Sequence, residues 1–485
     1  MPSLIQSTLI LAFARITNFA LLFFSPILLV RLLDPTVFGQ YREFVAWSMI
    51  TTIIAGFSIT SNLLYFVPRH PENTVKYVSH TNWLTLLMSL LTCAILWSFR
   101  EQIHASASFE LVLPLAAYVL LFINVSFLDA YWIATRQPKY VFYYTTLRTV
   151  VRLLAVVGAA WVTRSLEAII VALLAAEALR VLVVLLITRA IGLLSFRLDR
   201  HTLADQLRFV LPIGLGSSLV HLHQWIGQLA VSTQLGVVAL ATYAVASYNV
   251  PITKIARGAV GDAIFPDMVR QAAANAADGL KLWKRANIGY ACLILPTFAL
   301  LFWYADVLIP LVFTEQYAGA VPIFRVLLLV LPIETLELNA PLRAIKRTGD
   351  MLAGNVLLLG TNLACIAAFF TWLPELAIFG PAVGIVAGYF VQLVFLAWRV
   401  CRWYGVGFPE VIKWRSHAAL WTCTVGSGLV LAAGEYVPLP DVARMLLFGA
   451  GYAAVYLWAL RLFRLEEVEI LFGKLRRRLT RAPAL

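Results

Sequence analysis

The chain has 485 residues, of which 61% are hydrophobic and only 13% are charged, and its net charge is +13. A composition this apolar excludes a string of soluble domains and indicates a protein embedded in a membrane. The positive charge would favour nucleic acid as a partner of a soluble protein, but in a membrane protein the positive-inside rule accounts for it. We therefore expect no nucleic-acid partner.

Hydrophobic stretches of spanning length recur along the whole chain. We count about fourteen, each near the ~20 residues that a helix needs to cross a bilayer. The stretches are continuous and do not alternate, which favours helices over a transmembrane barrel. The predicted spans are 5–33, 41–66, 79–99, 111–134, 140–162, 166–190, 207–235, 237–259, 286–309, 320–342, 351–373, 378–400, 416–434 and 442–463. The predicted fold class is therefore an all-α integral membrane protein.

Lysine and arginine residues are distributed unequally between the two sets of connections that alternate along these spans. With the N-terminus inside, one set and the C-terminal tail hold most of the basic residues. The opposite set holds only Arg31, Arg42, Arg100, Arg164 and Arg444. This asymmetry predicts that both termini are cytoplasmic and that the number of spans is even.

The chain lacks the patterns of a metal, cofactor or catalytic site. Its five cysteines are scattered, with no CxxC pair and no Cys/His cluster, so we expect neither a disulfide framework nor a metal site. No ATP-binding signature is present, and we expect no cofactor. There is also no long outer loop and no plausible nucleophile–base pair. We therefore expect that the chain is not an enzyme.

A short motif occurs twice, at the predicted turn after the first span and at the turn after the seventh. Leu33–Tyr41 reads LDPTVFGQY and Leu235–Tyr243 reads LGVVALATY, each with a leucine and a tyrosine at the same spacing. Six spans in each half, both halves starting on the same side, make a parallel repeat of the kind that transporters use for alternating access. The predicted division is a six-helix lobe at 1–195, a second at 196–400, and two further helices with a basic tail at 401–485.

Four stretches in a fixed order resemble a known family. They are Arg31–Tyr41, Gln228–Ala230 followed by Gly236–Tyr243, Ala263–Pro266, and Leu311–Pro322. Over nearly its whole length the chain resembles the polysaccharide flippases of the multidrug/oligosaccharidyl-lipid/polysaccharide exporter (MOP) superfamily, in the Wzx-type O-antigen and exopolysaccharide branch. One departure is Thr314, where the family usually has glycine.

The resemblance implies two six-helix bundles around a central cavity, with two additional C-terminal helices. The substrate that it implies is an oligosaccharide linked by pyrophosphate to a polyprenyl lipid. It also implies a bacterial inner membrane, with membrane lipids, a polysaccharide polymerase and chain-length machinery as partners. Energy would come from a proton or sodium gradient or from downstream consumption of the product.

The first candidate site residue is Arg15, about ten residues into the first span and roughly 15 Å deep. An ionisable group at this depth costs about 2.5–3.5 kcal/mol on insertion scales, which marks it as a functional candidate. Members of the lipid-flippase branch resemble this chain in carrying cavity arginines on the first span. The resemblance therefore implies that Arg15 binds substrate in a cavity, and a structural ion pair is the alternative.

A second group of candidates lies on the fifth and sixth spans. Arg148 and Arg152 are four residues apart and share one helix face. Because span six runs back antiparallel, a rise of 1.5 Å per residue places Glu177 near the level of Arg152 and Arg180 near the level of Arg148. One salt bridge forms easily there, and the positive surplus would suit a pyrophosphate, which arginine can grip with two parallel hydrogen bonds.

The remaining candidates are two cations near a predicted cytoplasmic mouth and several acids. Lys254 and Arg257 follow Pro251 near the end of span eight, where they would line the entry of the charged headgroup or act as topology anchors. The candidates for binding a coupling proton or sodium ion are Asp129, Glu177 and Glu337. Pairing with a nearby lysine or arginine is their alternative role.

Three functions compete on these observations. The leading hypothesis is a flippase that moves a lipid-linked oligosaccharide from the cytoplasmic to the outer leaflet by alternating access. The alternative is an ion-coupled multidrug or cation efflux transporter, which usually has twelve spans and an acidic cavity. A membrane enzyme such as a sugar-chain polymerase is the third, and the missing outer loop argues against it.

Overall fold

The structure is a computed structural model that describes residues 4–193, 199–248, 264–265, 267–272 and 275–463, and for helix residues 4–16, 19 and 200 the backbone alone. Helices and turns make up these described ranges, and no strand occurs in them. The all-α prediction is confirmed. The chain forms two compact units, residues 1–244 and 245–485. The predicted lobe boundaries at residues 195 and 400 remain predictions.

The first unit consists of long apolar helices, several of which are interrupted by short breaks. Its helices are α1 (Leu4–Leu32), α2 (Pro35–Gly56), α3 (Ser61–Arg69), α4 (Thr74–Ser98), α5 (Arg100–Ser106), α6 (Val112–Ile123), α7 (Phe127–Ala134), α8 (Pro138–Thr163), α9 (Leu166–Ala190), α10 (Arg200–Leu235) and α11 (Val237–Ala246), whose last two residues belong to the second unit. α8 packs against α1 on one side and α9 on the other.

The first copy of the repeated motif folds as a helix start. Asp34 precedes α2, and one oxygen of its carboxylate accepts hydrogen bonds from the backbone N–H groups of Thr36 (2.9 Å) and Val37 (3.1 Å). Pro35 occupies the first helical position, where its missing N–H costs nothing. Further along α2, Gly39 lies so close to the start of α11 that an added Cβ would be 2.0 Å from the Val237 carbonyl oxygen. The two copies of the motif therefore meet at a contact that only glycine permits.

The second unit has the same character. Its helices are α12 (Ala276–Trp303), α13 (Ala305–Phe313), α14 (Val321–Leu328), α15 (Val330–Glu334), α16 (Asn339–Ala344), α17 (Thr348–Trp372), α18 (Gly380–Tyr404), α19 (Phe408–Val411), α20 (Trp414–Gly434) and α21 (Asp441–Leu462). α17 and α18 pack closely through glycines: a Cβ at Gly388 would lie 2.7 Å from the Leu358 carbonyl oxygen, and one at Gly384 would lie 2.9 Å from that of Asn362. Small residues at such interfaces let membrane helices approach each other.

Eleven helical segments in the described part of the chain are long and apolar enough to cross a membrane, and two shorter apolar helices, Ala20–Leu32 and Val237–Ala246, accompany them. The chain is thus a multi-pass membrane protein, but the predicted count of fourteen is not confirmed. α10 is 36 residues long and is absent from the eleven. Its serine, histidine and glutamine residues lower its hydropathy below that of the other long helices.

Thr314 is in a strained backbone conformation. Its φ is 77° and its ψ is 157°, a region that is almost exclusive to glycine. It joins α13 to the turn at Glu315–Ala320, and its hydroxyl oxygen is buried without a hydrogen-bond partner among the described residues. The departure from the family's glycine thus falls where a side chain carries a conformational cost of about 1–3 kcal/mol.

We expect Thr314→Gly to stabilise the protein by about 1 kcal/mol, because relief of the backbone strain outweighs the added freedom of glycine in the unfolded chain. Unfolding of the purified protein in detergent, followed by circular dichroism, measures this change. Thr314→Ala is the matched control, since it removes the hydroxyl but keeps the Cβ and therefore the strain. An equal gain from alanine and glycine would show that the hydroxyl, and not the backbone, is the source of the cost.

Candidate functional site

A cluster of charged side chains occupies the interior of the first unit where α8 and α9 run side by side. On α9, Arg180 and Glu177 are one turn apart and form a salt bridge with 3.1 Å between Nη1 and Oε2. The other carboxylate oxygen of Glu177 lies 3.7 Å from Nη1 of Arg152 on α8. Glu177 therefore bridges two arginines on neighbouring helices. The contact agrees with the prediction that Glu177 and Arg152 lie at the same depth along their helices.

A second ion pair in the cluster comes from a different helix. Nη1 of Arg148 on α8 donates a hydrogen bond of 3.0 Å to Oδ2 of Asp129 on α7. Asp129 thus has the alternative role considered above, an ion pair with an arginine. Its other oxygen, Oδ1, is buried and has no hydrogen bond among the described residues.

Phenol and hydroxyl groups complete the surroundings of the arginines. The Tyr118 hydroxyl accepts a hydrogen bond of 3.1 Å from Arg152, and the Tyr144 hydroxyl accepts one of 2.9 Å from Nε of Arg180. Each guanidinium also lies over an aromatic ring: Arg152 over Tyr118 at 5.6 Å, Arg148 over Tyr144 at 5.7 Å, and Arg180 over Phe122 at 5.1 Å. Aromatic faces stabilise cations in a desolvated site.

Two side chains that contact the arginines lie in or just after a break between helices. α6 ends at Ile123 and α7 begins at Phe127, so the span from Val112 to Ala134 is interrupted. Within the break, the Ser126 hydroxyl lies 3.4 Å from Nη2 of Arg180, and just after it α7 carries Asp129. Interrupted helices at membrane depth typically occur where a transporter binds its substrate or ion.

The exposure of the charged groups separates two roles. The side chains of Arg180 and Glu177 are 4% and 2% exposed, whereas those of Arg148 and Arg152 are 26% and 24% exposed. The buried pair on α9 is shielded from a ligand, whereas the partly exposed arginines keep donors available to one. The cluster contains three arginines and two carboxylates, so its formal net charge is +1. Without Asp129 the net charge would be +2.

The helix of Arg15 reaches the cluster. The Thr149 hydroxyl on α8 donates a hydrogen bond of 2.6 Å to the side-chain oxygen of Asn18 on α1. Arg15 lies one helical turn before Asn18, and its side chain is outside the described residues. Lys254 and Arg257 also lie outside the described residues. Their proposed contact with substrate remains a prediction.

Glu337 has a local structural role in the second unit. Its Oε1 accepts a hydrogen bond of 2.9 Å from the backbone N–H of Asn339, at the first turn of α16. A carboxylate at a helix N-terminus is stabilised by the exposed N–H groups there. The described ranges hold no group of three or more His, Cys, Asp or Glu residues placed to hold a metal ion.

Glu43 on α2 is a buried carboxylate that sequence reasoning missed. It is fully buried and accepts a hydrogen bond of 2.7 Å from the Ser232 hydroxyl on α10. The backbone N–H of Ser108 donates a second hydrogen bond at 3.1 Å, and the hydroxyl of Ser108 a third. The sequence feature that could have indicated it is an acid at the third residue of the second predicted span. The neighbouring Arg42 donates a hydrogen bond from its guanidinium to Gln228.

Comparison with known proteins gives a family and a fold. A family model described as polysaccharide biosynthesis protein matches residues 28–322. The search of curated proteins finds no significant match. The solved structures that the chain resembles include the lipid II flippase MurJ in an inward closed conformation, with a TM-score of 0.65 and 13% identity, covering 92% of this chain and 98% of that chain.

Two transporters of the MOP superfamily are also similar. An inward-facing multidrug resistance MATE family transporter has a TM-score of 0.59 and 16% identity, covering 80% of this chain and 94% of that chain. A transporter from Pyrococcus furiosus, described as having a binding pocket of reverse polarity, has a TM-score of 0.54 and 14% identity, covering 82% and 95%. At these identities the likeness concerns the fold alone.

Proposed function

The chain belongs to the family of polysaccharide biosynthesis proteins, and we propose that it flips a polyprenyl-pyrophosphate-linked oligosaccharide from the cytoplasmic to the outer leaflet of a bacterial inner membrane. Its transporter fold is that of the MOP superfamily, which includes both lipid flippases and efflux transporters. The choice of an anionic lipid-linked substrate is supported by the charge of the cluster in the first unit.

The single observation that carries this proposal is the pair of partly exposed arginines within one spanning helix, Arg148 and Arg152 on α8. A pyrophosphate carries several negative charges and presents oxygens that match the fork of a guanidinium. Arg152 shares Glu177 with Arg180, so its donors are not saturated by its carboxylate. The substrate phosphate would replace Asp129 as the partner of Arg148, which costs one ion pair and forms another.

The other candidates extend this proposal. Arg15, one turn from the Asn18–Thr149 hydrogen bond, would add a further cation on α1. Lys254 and Arg257 would guide the headgroup from the cytoplasmic side. Asp129 and Glu177 contact the arginines that would receive the substrate, so a proton or sodium ion taken up by either carboxylate would be coupled to substrate binding. Glu337 is a weaker candidate, since a helix terminus already stabilises its charge.

The test is the leaflet location of lipid-linked sugar intermediates in cells that lack the protein, with surface polysaccharide measured in parallel. We expect the intermediates to accumulate on the cytoplasmic side and the polysaccharide to be lost. Restored wild type should rescue both, and Arg15→Ala should not. Purified protein in vesicles should also move a fluorescent lipid-linked sugar under an imposed gradient. Normal polysaccharide and no leaflet accumulation in the deletion strain would refute the proposed function.

The likeness to a MATE family transporter supports a second candidate, ion-coupled efflux of cationic drugs, because the same fold fits it. The surplus positive charge of the cluster opposes a cationic ligand. Drug sensitivity of the deletion strain decides between the two. Greater sensitivity to cationic drugs with normal polysaccharide would establish efflux.

A further inference from the structure

The second unit has a basic and aromatic surface. We call it the Trp403 patch and define it as Trp403 with four exposed cations from the end of α16, the turn after it and the end of α18. These cations are Arg343, Lys346, Arg347 and Arg402. α16 and α18 meet there through a hydrogen bond of 3.0 Å from the Tyr404 hydroxyl to the Pro341 carbonyl oxygen.

The centre of the Trp403 patch is held in place by a partly buried network. The indole N–H of Trp403 donates a hydrogen bond of 2.7 Å to Oδ2 of Asp350 on α17. Oδ1 of Asp350 forms a salt bridge of 2.5 Å with Arg399, one turn before Trp403 on α18. This arrangement fixes the plane of the indole. Both oxygens of the Asp350 carboxylate already have partners.

Two guanidinium groups of the Trp403 patch are stacked on aromatic rings. Arg347 lies over the Trp403 ring with 3.3 Å between Cζ and the ring centroid, and Arg343 lies over Phe265 at 3.9 Å. Stacking restrains a guanidinium while leaving the N–H groups around its edge free to donate. The two arginines are therefore oriented donors and differ in this from freely rotating surface cations.

The four cations of the Trp403 patch form no salt bridge within the described part of the chain, although Arg347 lies near enough to Asp350 to attract it. No salt bridge there joins Arg343, Lys346, Arg347 or Arg402 to a carboxylate, and Asp350 already pairs with Arg399. One of these four cations, Arg347, lies on the indole, and a second, Arg343, is stacked on Phe265. Such a surface attracts an anion with several acceptor oxygens.

An apolar stripe on α18 leads directly to this surface. Phe390, Val394 and Trp398 are 56%, 51% and 54% exposed, and they follow one another at intervals of four residues. The next position in the same series is Arg402. Residues four apart share a helix face, so the stripe runs about 12 Å along the spanning helix and ends at a cation. A lipid with an apolar tail and an anionic headgroup would fit an apolar stripe that ends at a cation.

We propose that the Trp403 patch binds the phosphate headgroup of an anionic phospholipid whose acyl chain lies along the Phe390–Trp398 stripe. Tryptophans at helix ends typically sit at the level of the headgroups, which places the patch at the depth where such a phosphate lies. The patch shares no residue with the arginine cluster of the first unit. It does not depend on the proposed transport function.

The experiment measures lipids that remain bound to the full-length protein in native mass spectrometry. Purified protein in detergent is titrated with phosphatidylglycerol or with phosphatidylcholine, and we expect phosphatidylglycerol to bind more tightly. Arg343→Gln/Arg347→Gln should weaken its binding about tenfold to thirtyfold, from roughly a threefold to fivefold loss per removed cation. Equal binding of phosphatidylglycerol by this variant and the wild type would overturn the proposal.

Three further arms separate the sources of the phosphate and the general effect of charge. Arg136→Gln/Arg189→Gln removes two exposed cations from the first unit and should leave phosphatidylglycerol binding within twofold of wild type. sn-Glycerol 3-phosphate, which lacks a tail, should compete poorly, and strong competition would refute the role of the stripe. Polyprenyl pyrophosphate should also compete less well than phosphatidylglycerol. Stronger competition by it would assign the patch to a different lipid and overturn our assignment.

Discussion

Replacing Glu177 by glutamine is expected to lower the free energy of unfolding by about 3–5 kcal/mol, the typical cost of removing one partner from a buried ion pair. Glu177 contacts both Arg152 and Arg180, and its side chain is 2% exposed. Glutamine has the same shape but no charge. Two guanidinium groups, one of them fully enclosed, would then repel each other with no anion between them.

Chemical unfolding of the purified protein in mixed micelles measures this loss. Glu167→Gln is the matched control, because Glu167 lies in the first turn of the same helix and is exposed. Its effect should stay within about 0.5 kcal/mol. The double variant Glu177→Gln/Arg180→Gln should recover part of the loss, because it removes the charge that was left unpaired. A loss below about 1 kcal/mol for Glu177→Gln would mean that water reaches the arginines.

The part of the cluster that lies on α8 and α9 could be predicted from the sequence. A rise of 1.5 Å per residue and an antiparallel turn are enough to put Glu177 beside Arg152, and the structure has this contact. Both helices are uninterrupted, so residue counting measures depth reliably along them. The positive charge of the cluster was overestimated, because the pairing considered for Asp129 named no partner and the cluster was counted with Glu177 as its single anion.

The contacts made across helix breaks could not be predicted. Ser126 and Asp129 reach the arginines from a span that is interrupted between Ile123 and Phe127. A break changes both the depth and the direction of the residues that follow, so periodicity no longer locates them. In the sequence, Tyr118 and Tyr144 cannot be told from tyrosines that only pack in an apolar core. Their hydrogen bonds to arginines in the structure show the polar role of their hydroxyls.

One predicted span, 207–235, is absent from the eleven because of polar residues within its helix. α10 extends over 36 residues, yet its serine, histidine and glutamine side chains reduce its hydropathy. Several of them have partners in the first unit: Ser217 contacts Ser58 at 2.6 Å, and Ser232 donates to Glu43. Polar groups that pair between membrane helices stabilise the structure but weaken the hydropathy signal from which spans are counted.

Substitution of the two partly exposed arginines is expected to impair transport much more than stability. Arg148→Gln removes the partner of Oδ2 of Asp129, whose side chain is one quarter exposed, and does not change its buried Oδ1. Arg152→Gln leaves Glu177 paired with Arg180. We therefore expect each variant to lose no more than about 1 kcal/mol of folding free energy. A lost charge-assisted hydrogen bond to phosphate, at about 1.5–3 kcal/mol, should lower transport roughly 10- to 100-fold.

Initial rates of lipid-linked sugar movement in vesicles measure the effect, at protein levels matched by immunoblot. Arg148→Lys keeps the charge but loses the fork of two donors, so its rate should lie between those of wild type and Arg148→Gln. Arg325→Gln is the control, since Arg325 forms a similar pair of 2.7 Å with Asp306 in the second unit and is also partly exposed. Unchanged transport in both Arg148→Gln and Arg152→Gln would remove these arginines from the substrate site. Arg15, Lys254 and Arg257 would then be the remaining candidates for holding the pyrophosphate.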